Sequence, residues 1–328
     1  MTGSQNTTGN IALMIHHCAY LYIDNSAIMK NWLVLIGIGI LILGCNKERD
    51  QLIGEGPTSQ TLEIDGLKRE YIVYLPMGIQ KDAPLVFVCH GYTGSAKGIM
   101  DYSKMNQVAD SNGFAVCYPQ GSTGKNGDTF WQVGYAFNEQ DSVDDVKFIS
   151  ELAVTIQKKY KLSKRNTFIT GMSNGGDMCN LLSSGSTDVF KATAPVVGCM
   201  MKWFIETYPH PDPIPMMLIN GTKDDITLWA GDMKDEYGWG PYHPTEEMFD
   251  FWIQANHCTD IEKKLLPNLN SGDGSHVILE KHTGGEGSKP VWIYKVIGGK
   301  HDWPGSSGNM DIDASEIVWA FFKELIAI

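Results

Sequence analysis

The chain has 328 residues, of which 43% are hydrophobic and 20% charged, so it can bury one large core. A single α/β domain can account for this length. The formal net charge is -12 and Lys and Arg form no run, which argues against a nucleic-acid partner because such binders present a basic face.

The first predicted element is an export signal over residues 29–45. A short positive start at Met29 and Lys30 precedes an apolar run over residues 32–44, which is typical of a signal-peptide core and short for a membrane-spanning helix. The run ends in I-L-G-C, which resembles a bacterial lipobox. That resemblance implies lipidation of Cys45 and an exported protein at the cell envelope or surface, or outside the cell, whose only membrane contact is this anchor. A buried N-terminal helix is the alternative.

The predicted signal also determines how the segments before and after it are interpreted. Initiation at Met29 gives a normal signal peptide, so residues 1–28 are predicted to be a gene-model extension. His16, His17 and Cys18 lack further ligands at suitable spacing, and no metal site is predicted there. Residues 46–60 are interpreted as a polar tether before a folded domain over residues 61–328.

From residue 61 onward, strand and helix patterns alternate without a linker. Eight strands are predicted, at residues 61–64, 69–75, 84–89, 114–118, 165–170, 192–197, 216–219 and 291–297. Helices are predicted at residues 96–109, 143–158, from 177, at 245–255 and at 313–325. The alternation predicts a mostly parallel, doubly wound sheet with helices on both faces and a ligand site beyond the carboxyl ends of the strands.

Five cysteines lie within the predicted domain. They are Cys89, Cys117, Cys179, Cys199 and Cys258. Those at 89, 117 and 199 lie in apolar runs and are predicted to be buried core residues. An odd number leaves at least one thiol unpaired within the chain, and the sequence does not define any pairing.

The motif G-M-S-N-G-G (171–176) stands between a predicted strand and a predicted helix. A G-x-S-x-G in that context is the nucleophile elbow of an α/β-hydrolase. Gly171 and Gly175 would let the strand and helix backbones approach each other around Ser173. Ser173 is therefore the predicted catalytic nucleophile.

A serine nucleophile needs a base and an acid that orients the base, and in this fold both follow it in chain order. N-G-T-K-D-D (220–225) follows one strand and G-G-K-H-D-W-P-G (298–305) follows another. Asp224 is the predicted acid, with Asp225 as its rival. His301 is the predicted base. The competing histidines are His90, His243, His257, His276 and His282, of which the last two fall in an apparent outer hairpin.

The oxyanion of the reaction needs backbone N–H donors already in place. One is predicted at Asn174, directly after the nucleophile. The other is predicted at Tyr92 in the loop H-G-Y-T-G-S (90–95), with Thr93 as the alternative. His90 is expected to orient this loop.

Two long segments, residues 120–141 and 227–244, are rich in glycine and aromatic residues. Loops of this length are either functional or disordered, and aromatic residues favour the walls of a binding site. The aromatic residues of the two segments are Trp131, Tyr135, Trp229, Tyr237, Trp239 and Tyr242. The residues predicted to bind substrate are His90, Trp131, Trp229, Trp239 and Trp303.

Several motifs together resemble the polyhydroxybutyrate-depolymerase-type esterase family, which also contains feruloyl and acetylxylan esterases. The motifs are H-G-Y-T-G-S (90–95), Y-P-Q-G (118–121), D-D-V-x-F-I (144–149), G-M-S-N-G-G (171–176), A-P-V-V-G (194–198), N-G-T-K-D (220–224) and G-G-K-H-D-W-P-G (298–305). The resemblance covers roughly residues 60–325. It implies a capless α/β-hydrolase acting on esters with no metal and no cofactor.

The same resemblance assigns roles residue by residue. Ser173 matches the nucleophile, Asp224 the acid of G-T-x-D, and His301 the base of G-G-x-H-x-W-P-G. Asp145 also matches the family, and we interpret it as a helix-start aspartate that binds its own N–H groups. Lys300 and the long loop 227–244 depart from the family pattern and leave the substrate open.

The sequence therefore predicts an exported, lipid-anchored serine carboxylesterase that hydrolyses feruloyl or acetyl esters on plant polysaccharide. A polyhydroxyalkanoate esterase is the alternative within the same chemistry. A serine peptidase and a non-catalytic glycan-binding lipoprotein are the further alternatives.

Overall fold

The computed structural model describes residues 54–138, 142–185, 188–285, 287 and 289–326. The predicted signal over 29–45 with Cys45, the extension over 1–28 and most of the tether lie outside these residues. Within them, no helix is long and apolar enough to cross a membrane. The five cysteines of the domain are all described, and all are free thiols.

A ten-stranded sheet organises the described residues, in the order β1-β2-β4-β3-β7-β8-β9-β12-β11-β10. Its strands are β1 (Thr58–Ile64), β2 (Leu67–Tyr74), β3 (Leu85–Cys89), β4 (Ala115–Pro119), β7 (Thr167–Met172), β8 (Ala192–Val196), β9 (Met216–Gly221), β10 (Asp260–Leu265), β11 (His276–Thr283) and β12 (Val291–Ile297). A small ribbon adds β5 (Ser122–Thr123) and β6 (Thr129–Phe130). The six central strands, β4, β3, β7, β8, β9 and β12, pair in parallel. The two strands on each side of them, β1 and β2 on one side and β11 and β10 on the other, pair antiparallel.

The sequence predicts eight strands, and β10 and β11 are the two strands of the ten-stranded sheet that it misses. Every residue of β10 is exposed, so the strand carries no buried apolar pattern. β11 carries Glu280 and Lys281 in its centre, which hides its half-buried alternation. Together they extend the sheet beyond β12, where the sequence indicates an outer hairpin.

The helices lie on both faces of the sheet, as predicted. They are α1 (Ala96–Ser103), α2 (Met105–Asn112), α3 (Asp145–Lys159), α4 (Asn174–Gly185), α5 (Lys202–Thr207), α6 (Thr245–Ala255) and α7 (Ala314–Glu324). Buried residues of α3, α4, α5 and α6 share one apolar core, and those of α1, α2 and α7 share a second. The predicted helix 96–109 is divided at Lys104, whose positive φ of 55° ends α1.

The parallel centre of the sheet determines where the loops meet. Strands β3, β7, β9 and β12 run in the same direction, so their carboxyl ends lie along one edge. The loop 90–95, Ser173, the loop 222–227 and the loop 298–305 follow these four strands. The fold therefore brings the predicted catalytic segments to one edge, which we call the catalytic edge.

Candidate active site

The turn between β7 and α4 is a strained elbow. Ser173 has a φ of 55°, a conformation that costs energy for a residue with a Cβ. Its N–H donates to Val196 O at 2.9 Å, which secures the elbow to β8. A Cβ at position 171 would lie 2.4 Å from Gly175 O, and one at position 175 would lie 2.4 Å from Cys89 O. Only glycine fits at both positions.

An imidazole–carboxylate pair lies on the same edge. His301 Nδ1 and Asp224 Oδ2 are 2.7 Å apart. The carboxylate can only accept, so Nδ1 donates and Nε2 of the neutral ring carries the lone pair. Asp224 Oδ1 accepts the N–H groups of Ile226 and Thr227 at 2.9 and 2.8 Å. Asp225 is exposed, so the structure places Asp224 and not its neighbour against the ring.

The loop after β3 lies against the nucleophile. A Cβ at Gly91 would be 3.3 Å from Ser173 Cβ, so this backbone passes close to the serine. The N–H of Thr93 donates to Thr129 O at 2.7 Å, which removes Thr93 as an oxyanion donor. Tyr92 therefore remains the candidate in this loop.

Asn174 is the first residue of α4, where backbone N–H groups have no partner inside the helix. Its side chain is held away from that N–H. Asn174 Oδ1 accepts Trp131 N–H at 2.7 Å, and its Nδ2 donates to Trp131 O at 3.1 Å. This arrangement suits the predicted role of the Asn174 main chain.

His90 is the first residue of the loop 90–95, and its side chain is buried, with the residue 1% exposed. Its Nε2 accepts the Gly121 N–H at 2.9 Å, so its protonated Nδ1 donates to Gly91 O at 2.7 Å. Burial lowers the pKa of His90 to about 4, and the ring is neutral at ordinary pH. Its expected orienting role agrees with these contacts. Its predicted contact with substrate is wrong, because the ring is buried.

Two predicted substrate-binding tryptophans are also buried, and those predictions are wrong. Trp131 and Trp303 are both 0% exposed. The indole N–H of Trp131 donates to His90 O at 2.8 Å, and that of Trp303 donates to Ser315 Oγ at 3.1 Å. Each ring fills the core under its loop and supports the site from below.

A small pocket with a volume of about 20 Å³ opens beside the nucleophile. It is lined by Ser173, Tyr135, Cys199, Ile226, Thr227, Trp239 and Tyr242. Trp239 thus lines the pocket beside Ser173, and its contact with substrate stays a prediction. Trp229 is half-buried and packs edge-on against Phe249 at 5.8 Å between ring centroids.

Four aromatic rings form a cluster at this pocket. The cluster is Tyr92, Tyr135, Phe137 and Trp239, and every pair of its rings lies within 5.1–6.4 Å between centroids. Its members come from three separate segments, one of which is the loop 90–95. This loop is therefore packed against the aromatic residues of the pocket.

Asp145 does not cap its own helix. Asp144 is the N-cap of α3 and accepts the Lys147 N–H at 2.8 Å. Asp145 is buried and pairs with Arg69 at 2.6 Å, while its second oxygen accepts Gln132 N–H at 2.8 Å. The sequence interpretation is wrong because it considers only the helix, and the partners come from β2 and the loop before α3.

Sequence reasoning misses Asp177, which lies one helical turn after the nucleophile and binds Tyr135 and Cys199. An aspartate in the first turn of a helix is ordinary and carries no signal. Cys199 and Thr227 are also missed as pocket residues. Tyr135 and Tyr242 are indicated only by their place in aromatic-rich loops.

Comparison with known proteins agrees with the geometry. Residues 69–207 match the family described as "Esterase PHB depolymerase", which confirms the resemblance drawn from the motifs. A bifunctional acetylxylan esterase/xylanase of Neocallimastix patriciarum is 25% identical over 161 residues, 49% of this chain and 22% of that protein. A poly(3-hydroxyalkanoate) depolymerase C of Paucimonas lemoignei is 22% identical over 255 residues, 72% of this chain and 58% of that protein.

The chain therefore spans only part of the length of both curated relatives. Among solved structures, an acetyl xylan esterase from Aspergillus awamori superposes with a TM-score of 0.56 at 16% identity, covering 81% of this chain and 99% of that one. This likeness confirms the predicted α/β-hydrolase fold.

Proposed function

We propose that this chain is a serine carboxylesterase. One observation carries the proposal: the 2.7 Å contact between His301 and Asp224, on the same sheet edge as the strained Ser173. A serine, an imidazole with a free Nε2 and a buried orienting carboxylate are the three groups that acyl transfer requires. The names of the relatives support ester hydrolysis as the reaction.

In the proposed mechanism, Ser173 Oγ attacks the ester carbonyl and its proton passes to His301 Nε2. The charge that develops on the carbonyl oxygen is held by the main-chain N–H groups of Tyr92 and Asn174. The tetrahedral intermediate collapses, and the alcohol leaves with the proton from His301. A water then gives its proton to His301 and attacks the acyl-enzyme. The bond to Ser173 Oγ breaks, His301 returns the proton to Oγ, and the carboxylic acid is released.

We further propose acetyl esters on plant polysaccharide as the first substrate class. The cavity beside Ser173 has a volume of about 20 Å³, far below the ~300–1,000 Å³ of pockets that enclose a drug-sized ligand but above the ~10–15 Å³ that holds one water-sized group. An acetyl group fits such a space more readily than a feruloyl group. Two similar proteins are named as acetylxylan esterases, which supports this class.

A polyhydroxyalkanoate esterase is the second candidate. It is favoured by the family match over residues 69–207 and by the depolymerase among the relatives. The 3-hydroxybutyryl group is also short, so the pocket volume alone does not separate these two substrates. Feruloyl esters, which the sequence indicates with equal weight, are the third.

The experiment is a panel of acetylated xylan, 3-hydroxybutyrate trimer, methyl ferulate and a peptide anilide, with Ser173→Ala as control. We expect wild-type enzyme to release acetate from xylan and the variant to release none above background. Preferential cleavage of the trimer or of methyl ferulate would instead assign polyhydroxyalkanoate or feruloyl esters as the substrate class. Hydrolysis of the anilide alone would identify a peptidase, and inactivity on all four would contradict the proposed function.

The lipid anchor remains a proposal that rests on the lipobox ending at Cys45. Expressed from Met29 in a bacterial host, the protein is expected to incorporate labelled fatty acid and to sediment with membranes. Cys45→Ser should abolish both, with the esterase activity retained. Sedimentation of this variant with membranes would contradict the anchor.

A further inference from the structure

A buried carboxylate lies directly behind the nucleophile and has no part in the mechanism above. Asp177, in the first turn of α4, is 3% exposed, and its N–H donates to Ser173 O at 2.9 Å. Its Oδ2 accepts the phenol of Tyr135 at 2.5 Å, and its Oδ1 accepts the N–H of Cys199 at 2.6 Å. Both partners line the pocket that contains Ser173. One carboxylate therefore binds two pocket-wall groups from separate segments.

The backbone around this carboxylate is closely packed. A Cβ at Gly176 would lie 3.0 Å from Gly198 Cα, and one at Gly198 would lie 3.0 Å from Asp177 N. The start of α4 and the segment that carries Cys199 are thus in direct contact. In this packing the Asp177 side chain binds Tyr135 and Cys199, both of which line the pocket with Ser173.

Burying this charge is costly, and the fold retains it. Burial raises the pKa of Asp177 to about 6, against the hydrogen bonds from Tyr135 and Cys199 and a smaller electrostatic interaction with His301. An apolar residue would fill the space without the cost, so the contacts that Asp177 makes must account for its presence.

Tyr135 transmits this restraint to the aromatic cluster. Its ring lies 5.1 Å from Trp239 and 6.4 Å from Tyr92 between centroids. A displaced Tyr135 would widen the pocket on the side of Trp239. It would also loosen the packing of Tyr92, whose main chain is the proposed oxyanion donor.

We propose that Asp177 is a positioning residue that determines the length of the acyl group the pocket accepts, by holding Tyr135 and the main chain at Cys199 against the serine. This inference rests on the proposed esterase function. The carboxylate itself does not touch the substrate.

The test compares the kcat/KM of p-nitrophenyl acetate with that of p-nitrophenyl octanoate. Asp177→Ala removes both acceptors, and we expect the acetate-to-octanoate ratio to fall by about tenfold or more, the scale on which pockets separate chain lengths. Asp177→Asn can accept from Cys199 N–H and donate to Tyr135 Oη, so its ratio should stay within about twofold of wild type. An unchanged ratio in the alanine variant, with both rates lowered equally, would overturn the proposal.

Two further variants keep the test decisive. Asp311→Ala is the matched control, because Asp311 is also a buried carboxylate that accepts hydrogen bonds, here from the N–H groups of Leu269 and Asn270, and it lies outside the pocket. We expect it to lower stability and leave the ratio unchanged. If Asp177→Ala does not fold, Tyr135→Phe removes the phenol alone, and the ratio should fall about threefold. An unchanged ratio there would contradict the proposal.

Failure of the proposed function would look different. Wild-type enzyme that hydrolyses neither ester and does not react with a fluorophosphonate would contradict the esterase assignment itself. Wild-type enzyme that hydrolyses acetate, with variants that keep its selectivity, would contradict only the role of Asp177.

Discussion

Two buried carboxylates, one at the catalytic edge and one near the outer margin of the sheet, each lie beside a basic side chain. The basic side chains of the two sites are of different types. At the catalytic edge, Asp224 is paired with the imidazole of His301, whose side chain is 15% exposed. Beyond β12, Glu280 on β11 is paired with Lys263 at 2.7 Å and with Lys295 at 3.3 Å. The imidazole of His282 lies 3.7 Å from the same carboxylate, and burial lowers its pKa, so the two lysines are the charged partners. We call this second cluster, Glu280 with Lys263 and Lys295, the outer ion-pair cluster.

The difference shows which buried charges serve chemistry. Imidazole can exchange a proton near neutral pH, whereas a lysine beside a carboxylate stays charged. The outer cluster also joins strands β10, β11 and β12, and Lys295 reaches Glu246 on α6 at 2.9 Å. Its contacts bind elements together. We therefore expect substitutions at the catalytic edge to change turnover and those in the outer cluster to change stability.

The largest expected effect is at His301. His301→Ala removes the base, and kcat should fall by ~10⁴-fold or more with the fold intact. The double variant with Ser173→Ala should be little worse, because the two groups act as a unit. Steady-state kinetics and circular dichroism measure both properties. Multiplicative losses in the double variant would contradict a shared role.

The next effect separates Asp224 from its neighbour. Asp224→Asn leaves the shape unchanged but removes the charge that orients and stabilises the imidazole, so kcat should fall by ~10⁴-fold. Asp225→Asn is the matched control, since that side chain is exposed, and its kcat should stay within about threefold. Reversed effects would assign the acid to Asp225.

A smaller effect is expected at Tyr102 on α1, which holds the loop that carries His301. Tyr102 Oη accepts the N–H of Trp303 at 3.2 Å and contacts Ser307 Oγ at 2.5 Å, and Ser307 in turn donates to Asp302. Tyr102→Phe removes both hydrogen bonds of the phenol, each of which contributes about 1 kcal/mol to holding the loop. We therefore expect kcat to fall about three- to tenfold, with KM little changed. An equal loss confined to KM would show that Tyr102 acts on substrate binding instead.

The smallest effect on turnover is expected in the outer ion-pair cluster. Burial would raise the pKa of Glu280, but hydrogen bonds and charges from Lys263 and Lys295 outweigh it and hold the pKa below its ordinary value. Glu280→Gln should lower the free energy of unfolding by about 1–3 kcal/mol at neutral pH and leave kcat within about twofold.

Because the pKa of Glu280 is lowered in the folded state, the stability difference between wild type and Glu280→Gln depends on pH. A lowered folded-state pKa contributes stability that is present above the unfolded-state value of 4.5 and is lost as pH falls through the lower folded-state value. Denaturation curves of wild type and Glu280→Gln should therefore converge in acid. A gap that widens in acid would contradict the ion-pair account.

The parts that could be predicted from the sequence are those whose signal is local. Ser173, Asp224 and His301 each stand in a short motif directly after a strand, and parallel strands bring such loops to one edge. The central strands could be predicted because they are continuous apolar runs.

The parts that could not be predicted depend on contacts between distant segments. Asp145 and Arg69 are 76 positions apart, Trp131 and His90 are 41 apart, and Tyr135 and Asp177 are 42 apart. In the sequence, an aromatic residue of a long loop gives the same pattern whether its side chain lines a pocket or fills the core beneath it. Trp131 and Trp239 lie in such loops, and only the packed structure separates them.

The central claim is that Ser173 is a nucleophile activated by His301 at the catalytic edge. The most direct measurement is mass spectrometry of the peptides obtained after reaction with a fluorophosphonate. We expect wild-type enzyme to carry one adduct, on the peptide containing Ser173, and His301→Ala to react far more slowly. An unmodified Ser173 in active wild-type enzyme, or an adduct on a different residue, would contradict the account.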